Sequence, residues 1–355
     1  MDGGVKKTGV TSSQVAQRAG VSQSAVSRSF TPGASISPET RAKVLAAAKE
    51  LGYRPNAIAR SLITNRSRIV AVVMAYLDNL FYPDVLEQLG RLLAKEDYRL
   101  LLFTGLAGGD SDPVFDQLMQ YRVDGIVLAS TSLSSELSEE CAAAGIPVVL
   151  FNRTTERDAV SSVTTHNREG GRRVAEYLLA GGHRRFGYIA GLESSSTNRD
   201  RLAGYREVLG EAGHKDILVE VGNYDRAGAQ AAARKLLSRP DRPDALFVAN
   251  DHMAVAVMDV ARYELGLSVP EDISIVGYDD VGPAQWDAYG VTSMSQPHRR
   301  MVEATVEVLM SQISSGEIAA EHRVFSGELI VRTSARLPPS GVVEVEGRKV
   351  FRPER

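Results

Sequence analysis

Within two helical turns, residues 22–29 (SQSAVSRS) carry an amide at Gln23, hydroxyls at Ser24, Ser27 and Ser29, and a guanidinium at Arg28, with the small apolar contact of Ala25 between them. Amides and guanidiniums read purine edges in the major groove, and hydroxyls bond phosphates, so this pattern suits sequence-specific contact with a duplex. A second set of reactive groups follows apolar runs: Asn152 after VVLF, Asn250 and Asp251 after LFVA, and Asp279 after IVGY, with Arg201 opening a helix behind a polar loop. A carboxylate and a guanidinium fork together match vicinal hydroxyls, each of which donates and accepts, which points to a sugar or polyol. The single tryptophan, Trp286, can stack on the apolar face of such a ring or pack the protein itself. Asp251 opens a helix, where an aspartate more often caps than binds.

The elements that must position the first set are short helices. Thr11 and Gln14 form a capping box, Val15, Ala16 and Ala19 face inward, and Gly20 stops the helix. Ser22 caps a second helix whose first turn exposes Gln23 and Ser24. Ser37-Pro38-Glu39-Thr40 opens a third, with Val44, Leu45, Ala48 and Leu51 expected on one stripe before Gly52. The unit is a helix-turn-helix, whose recognition helix reads DNA with its amino-terminal turn. Residues 53–62 are too short to hold a helix alone in water.

From residue 69 onward, apolar runs alternate with amphipathic stretches. Strands are expected at 69–74, 100–103, 125–128 and 148–151, then at 186–190, 218–221, 245–249 and 273–278, with helices near 85–94, 114–121, 168–180, 201–212, 226–237 and 253–265. The fold class is therefore α/β, with two doubly wound parallel lobes and a cleft at the carboxyl ends of their strands.

Charge divides in the same place. Residues 1–68 hold eleven cations against three acids, a net +8, whereas the rest is −11. A basic head on an acidic body is what results when only the head meets phosphate. With 43% hydrophobic and 24% charged residues, disorder is excluded as the main state. No apolar run approaches the roughly 20 residues of a membrane span, and the opening decapeptide lacks a secretory core, so a cytoplasmic location without membrane contact is expected. The single cysteine, Cys141, cannot form an internal disulfide and reads as a packing residue. His183, His214, His252 and His322 lack metal spacing, and no phosphate loop, nucleophile elbow or HExxH motif occurs. No enzyme, metal or cofactor is expected.

The segments VAQRAGVSQSAVSR, ISPETRAKVLAAAKELGY and RPNAIARSL resemble successive blocks of the headpiece and hinge helix of the LacI family of bacterial repressors. That resemblance implies a hinge that folds on the operator. Leu62 would wedge into the central minor-groove step, with Ala59 beside it. It also implies a periplasmic-binding-protein-like core in which the chain crosses between lobes near residues 161, 292 and 319. The expected organisation is a headpiece over 1–54, a hinge over 55–67 and a core over 68–338. Within the core, the N-lobe takes 68–161 and 293–318 and the C-lobe 162–292 and 319–338. A tail occupies 339–355. By the same resemblance Arg201, Asn250 and Asp279 match positions that bond ligand hydroxyls, and Asn79, Phe81 and Tyr82 match the loop after the first strand. Gln296 joins the expected ligand site, with His298 where some relatives have a pocket-closing aromatic. His166-Asn167 replaces the Asp-Asn pair of many relatives, and His166 reads as a surface residue. The implied partners are double-stranded operator DNA, a small-molecule effector and a second copy of the chain, since the tail lacks the leucine heptads that tetramerise some relatives. The alternatives left open are a purine or other non-sugar effector and, from another class, a solute-binding protein.

Overall fold

The computed structural model describes residues 10–31, 33–55, 66–74, 77–104, 117–129, 140–141, 143–155 and 159–353. The chain divides into two compact units, Met1–Ser67 and Arg68–Arg355.

In the first unit, caps set the limits of three helices: α1 (Ser12–Ala19), α2 (Gln23–Ser29) and α3 (Pro38–Leu51). The capping box is closed in both directions, the Gln14 N–H donating to Thr11 Oγ1 and the Thr11 N–H to Gln14 Oε1 at 2.8 Å. Gly20 and Gly52 end α1 and α3 in the left-handed conformation that favours glycine. Val15, Val26, Val44 and Ala48 form the core, edged by Phe30 and Tyr53 at 5.8 Å between ring centroids. The buried stripe of α3 runs through Val44, Ala47 and Ala48, and Leu45, expected inside, is 45% exposed because it sits about 100° round the helix from Val44.

The second unit holds two sheets. One contains β1 (Ile69–Met74), β2 (Arg99–Thr104), β3 (Gly125–Ala129), β4 (Val148–Phe151), β5 (Ser161–Thr165) and β11 (His322–Phe325), in the order β11-β5-β4-β3-β1-β2 and parallel throughout. The other holds β6 (Phe186–Ala190), β7 (Leu218–Val221), β8 (Ala245–Val248), β9 (Ser274–Asp279), β10 (Thr292–Ser295), β12 (Leu329–Ile330), β13 (Val342–Val345) and β14 (Arg348–Phe351). Its order is β13-β14-β12-β10-β9-β8-β6-β7, parallel from β10 to β7 and antiparallel beyond. Helices α4 (Phe81–Lys95) and α9 (His298–Ser315) pack together against the first sheet. Helices α5 (Asn167–Ala180), α6 (Ser196–Glu211), α7 (Arg226–Leu237) and α8 (Asp251–Asp259) serve the second.

Strand membership puts the three crossovers after Thr165, Ser295 and Phe325, each three to six residues beyond the expected 161, 292 and 319. The cause is composition: β5 is SSVTT and β10 is TSMS, buried strands without an apolar run. Their hydroxyls are satisfied by partners distant in the chain, as where the Glu328 N–H donates to Ser295 Oγ at 2.9 Å and Thr165 Oγ1 donates to Gln296 Oε1 at 3.3 Å. The crossovers touch so closely that a Cβ on Gly327 would stand 1.8 Å from the Ser295 carbonyl oxygen. Residues 342–351, expected within a tail, form the β13–β14 hairpin at the sheet edge, with Phe351 buried edge-on against Tyr177 at 5.2 Å.

Candidate functional site

The exposed face of α2 carries Gln23, Ser24, Ser27 and Arg28. Gln23 Nε2 donates to Ser12 Oγ at 2.8 Å, Ser24 Oγ lies 2.9 Å from Ser22 Oγ, and the Arg28 side chain reaches back to the Ser24 carbonyl at 3.4 Å. Arg18 is occupied elsewhere, forked onto Glu50 at 2.8 Å. Ala25 and Ser29 depart from the expected contacts: both are buried, and Ser29 Oγ donates to the Ala25 carbonyl at 2.8 Å, because positions 25, 26 and 29 form the inward stripe of α2. Ala59 and Leu62 lie outside the described residues.

In the second unit the strand order reverses at β1/β3 and at β6/β8, where crevices open beyond the carboxyl ends of strands. Asn79, Tyr82, Asn152, Arg153, Thr197, Arg201, Tyr224, Asn250 and Asp279 line one cavity there, drawn from loops and helix starts of both sheets. Six of the nine were expected. Arg201 lies inside α6 rather than at its opening, since Ser195 caps that helix six residues earlier. Its position is fixed three ways: Nε donates to Asn167 Oδ1 at 2.9 Å, Nη1 to the Ala249 carbonyl at 2.5 Å, and the guanidinium stacks on Tyr278 at 3.5 Å. Glycines allow the approach, for a Cβ on Gly171 would meet the Arg201 carbonyl oxygen at 2.0 Å and one on Gly204 the Arg168 carbonyl oxygen at 1.9 Å.

Asp279 faces Arg201 Nη2 at 3.7 Å and accepts from Gln296 Nε2 at 2.6 Å. Burial raises its carboxyl to about 6, against the opposing pull of Arg201, the Gln296 bond and Arg153. Asn152, Tyr224 and Asp279 all have positive φ, 58°, 62° and 109°, a concentration of backbone strain at one cavity. Two buried amide atoms there, Asn152 Oδ1 and Asn250 Nδ2, have no partner among the described residues. One orphaned acceptor and one orphaned donor are the complement of hydroxyl groups.

Phe81 and Gln296 lie behind the cavity. Phe81, in the first turn of α4 with Tyr82, stacks on Phe151 at 6.3 Å and meets His298 edge-on at 6.1 Å. Trp286 is not brought to the site. It is 59% exposed at the end of a 3-10 turn, neither stacked on the cavity nor packed inside, because the turn over 282–285 directs it outward. Asp251 is committed to structure: Asn250 is the cap, while Asp251 is buried and accepts from Ser293 Oγ at 2.7 Å and from the Val281 N–H at 3.1 Å. Asp280 pairs with Arg332 at 2.6 Å. His166 is exposed, and Cys141 is buried with its thiol pushed up to about 12 by desolvation. Arg153, Thr197 and Tyr224 were not anticipated. Each follows a strand of one of the two sheets, and Arg153 could have been found as the neighbour of Asn152.

A wider groove of about 1120 Å³ runs between the crossovers and the β13–β14 hairpin. Two of its arginines answer nearby carboxylates, Arg352 to Glu328 at 2.8 Å and Arg173 to Glu169 at 3.1 Å, and its lining comes from the crossovers and the hairpin rather than from the strand ends that face each other across the smaller cavity.

Residues 13–56 match the family described as bacterial regulatory proteins, lacI family, and residues 175–335 the periplasmic binding protein-like domain. The HTH-type transcriptional regulator CelR of Thermobifida fusca is 34% identical over 333 residues, covering 91% of this chain and 98% of its own. This chain belongs to the LacI family. As a member, it is a DNA-binding transcriptional regulator with a helix-turn-helix headpiece and a ligand-binding type of core. The structure of a CelR–cellobiose complex is 33% identical over 92% of this chain and all of that one, with a TM-score of 0.70. The lac repressor dimer bound to operator and the anti-inducer ONPF is 26% identical over 92% of this chain and 98% of that one, with a TM-score of 0.81. Among the described residues of this LacI-family chain, no helix is long and apolar enough to cross a membrane and no cluster of side chains suits a metal ion.

Proposed function

We propose that this regulator is a cytoplasmic, homodimeric repressor whose grip on a two-fold operator is set by a small polyhydroxylated ligand held by Arg201, Asp279, Asn250, Asn152, Asn79 and Tyr82. The carrying observation is the pair of orphaned amide atoms beside the Arg201–Asp279 pair in a cavity where the strands of both sheets end. CelR, solved with cellobiose, supports a carbohydrate, and the lac repressor, solved as a dimer on operator, supports the assembly. Gln23, Ser24, Ser27 and Arg28 are the proposed readers of the duplex, and no catalytic step is assigned to the core.

The coupling has a physical route. The free space between the lining residues is about 10 Å³, against roughly 300 Å³ or more in a ligand pocket. A ligand must therefore part the lobes. Doing so breaks the bonds that join them across the cavity, from Arg153 Nη1 to Thr197 Oγ1 at 2.7 Å and from the Thr154 N–H to Ser196 Oγ at 3.1 Å. Gln296 carries the change to the crossovers, since it holds Asp279 with one end and Thr165 with the other. Reciprocity requires ligand and operator to alter each other's affinity by one factor, typically about 5- to 150-fold. Selecting a bound duplex from random sequence and titrating it with and without sugars, polyols and purines tests the proposal. A shared factor in either direction is expected, and a ligand bound in the cleft without effect on the duplex would contradict it.

A further inference from the structure

We infer that the ligand is an acidic carbohydrate, a polyhydroxylated molecule with one carboxylate or phosphate whose oxygens are received by Arg153; this rests on the cleft assignment above. Arg153 is 8% exposed. Its Nη1 donates to the Asn152 carbonyl at 3.0 Å and to Thr197 Oγ1 at 2.7 Å, and its guanidinium carbon lies 5.8 Å from the centre of the Tyr224 ring. It forms no ion pair with any described residue. The charged groups lining the cavity are Arg153, Arg201 and Asp279, and Asp279 is the partner of Arg201 at 3.7 Å. One positive charge is left over.

A guanidinium is a permanent cation under the conditions in which proteins fold. A buried, unanswered cation is costly, and an anion placed against it returns the cost in the low-dielectric setting. A neutral hydroxyl accepts a hydrogen bond without cancelling the charge. Arg153 also has its fork to offer, since Nε and Nη2 are not engaged by acceptors among the described residues and present the parallel donors that match two oxygens of one oxyanion. Hydroxyls gather at the same spot: Thr197 Oγ1 lies 2.8 Å from Ser195 Oγ and 3.2 Å from Tyr224 Oη, so rotation of these groups supplies further donors. Tyr224 is fixed for this purpose, with its ring seated on Gly191, where a Cβ would stand 2.1 Å from it.

The test uses the full-length protein, thermal shift and calorimetry, and matched pairs: glucuronate with glucose, galacturonate with galactose, gluconate with sorbitol, and glucose 6-phosphate with glucose. At least one acidic member is expected to bind about tenfold to a hundredfold more tightly than its neutral partner, the range of one charge-assisted contact. The carboxylate and phosphate arms identify the oxyanion. In Arg153→Gln the acidic and neutral members of a pair should bind with equal affinity, and Arg153→Lys should retain part of the preference. Equal affinity for both members, an equal loss for both in Arg153→Gln, or no stabilisation by any acidic member at millimolar concentration overturns the inference. A neutral sugar bound by the wild type as tightly as its acidic partner, and lost in Asp279→Asn, would overturn the acidic ligand and leave the cleft assignment standing. Binding unaltered by both Asp279→Asn and Arg201→Ala would sink the cleft itself.

Discussion

Asp279→Asn should make the core more stable and the ligand weaker, in a pH-dependent way. The carboxyl is 4% exposed, and its value rises from an ordinary 3.8 to about 6, desolvation outweighing Arg201 and Gln296. A folded value above the unfolded one means that the native state holds the proton more firmly. The associated stability is full below about 3.8 and is lost as pH rises through about 6. Two pKa units correspond to about 3 kcal/mol. Asparagine mimics the neutral carboxyl and can still accept from Gln296, so the variant escapes that loss. Urea unfolding of the core transition in both proteins should show an advantage for the variant of about 1.5 kcal/mol near pH 5, growing to about 3 kcal/mol near pH 8. Ligand affinity should fall over the same range, because the charged acceptor is gone. An advantage independent of pH, or a variant less stable near pH 8, would refute the reasoning and indicate that the Arg201 ion pair outweighs burial.

Three further outcomes follow from the geometry. Gln23→Ala and Arg28→Ala should each weaken binding to a selected duplex by about 1–3 kcal/mol per half-site while leaving random DNA nearly unaffected; equal losses on both, measured by anisotropy, would reduce these residues to phosphate contacts. Gly171→Ala should cost about 1–3 kcal/mol and weaken the ligand, because a Cβ 2.0 Å from the Arg201 carbonyl oxygen must displace α6; calorimetry showing unchanged affinity would dissociate helix packing from the site. Thr11→Ala should lower headpiece stability by about 1 kcal/mol, through loss of the side-chain half of the capping box, as read by thermal unfolding monitored on Tyr53.

What could be read in advance was what is local. Thr11, Gln14, Gly20, Ser22, Ser37 and Pro38 each act within one turn, so the headpiece helices were legible almost to the residue. Strands with apolar runs were equally plain. The polar strands SSVTT and TSMS were not, because their burial depends on partners remote in the chain, such as Glu328 for Ser295 and Gln312 for Ser161. Asp279 and Asn250 announced themselves at strand ends and by resemblance, and Arg201 by resemblance and the polar loop before it. Thr197 and Tyr224 did not, since only folding brings a hydroxyl from the first turn of α6 and a phenol from the turn after β7 beside Arg153. Trp286 misled by its composition alone: a ring suited to stacking sits on a turn that faces outward.

The central claim is that a basic headpiece grips discrete duplex sites under the control of the ligand cleft. Footprinting of the full-length protein across genomic fragments, repeated with the ligand found in the paired screen, measures both halves at once. The account predicts a small number of protected sites with two-fold related halves, whose occupancy shifts on adding ligand in the wild type and does not shift in Asp279→Asn. Uniform protection without discrete sites, or discrete sites indifferent to a ligand known to occupy the cleft, would contradict it.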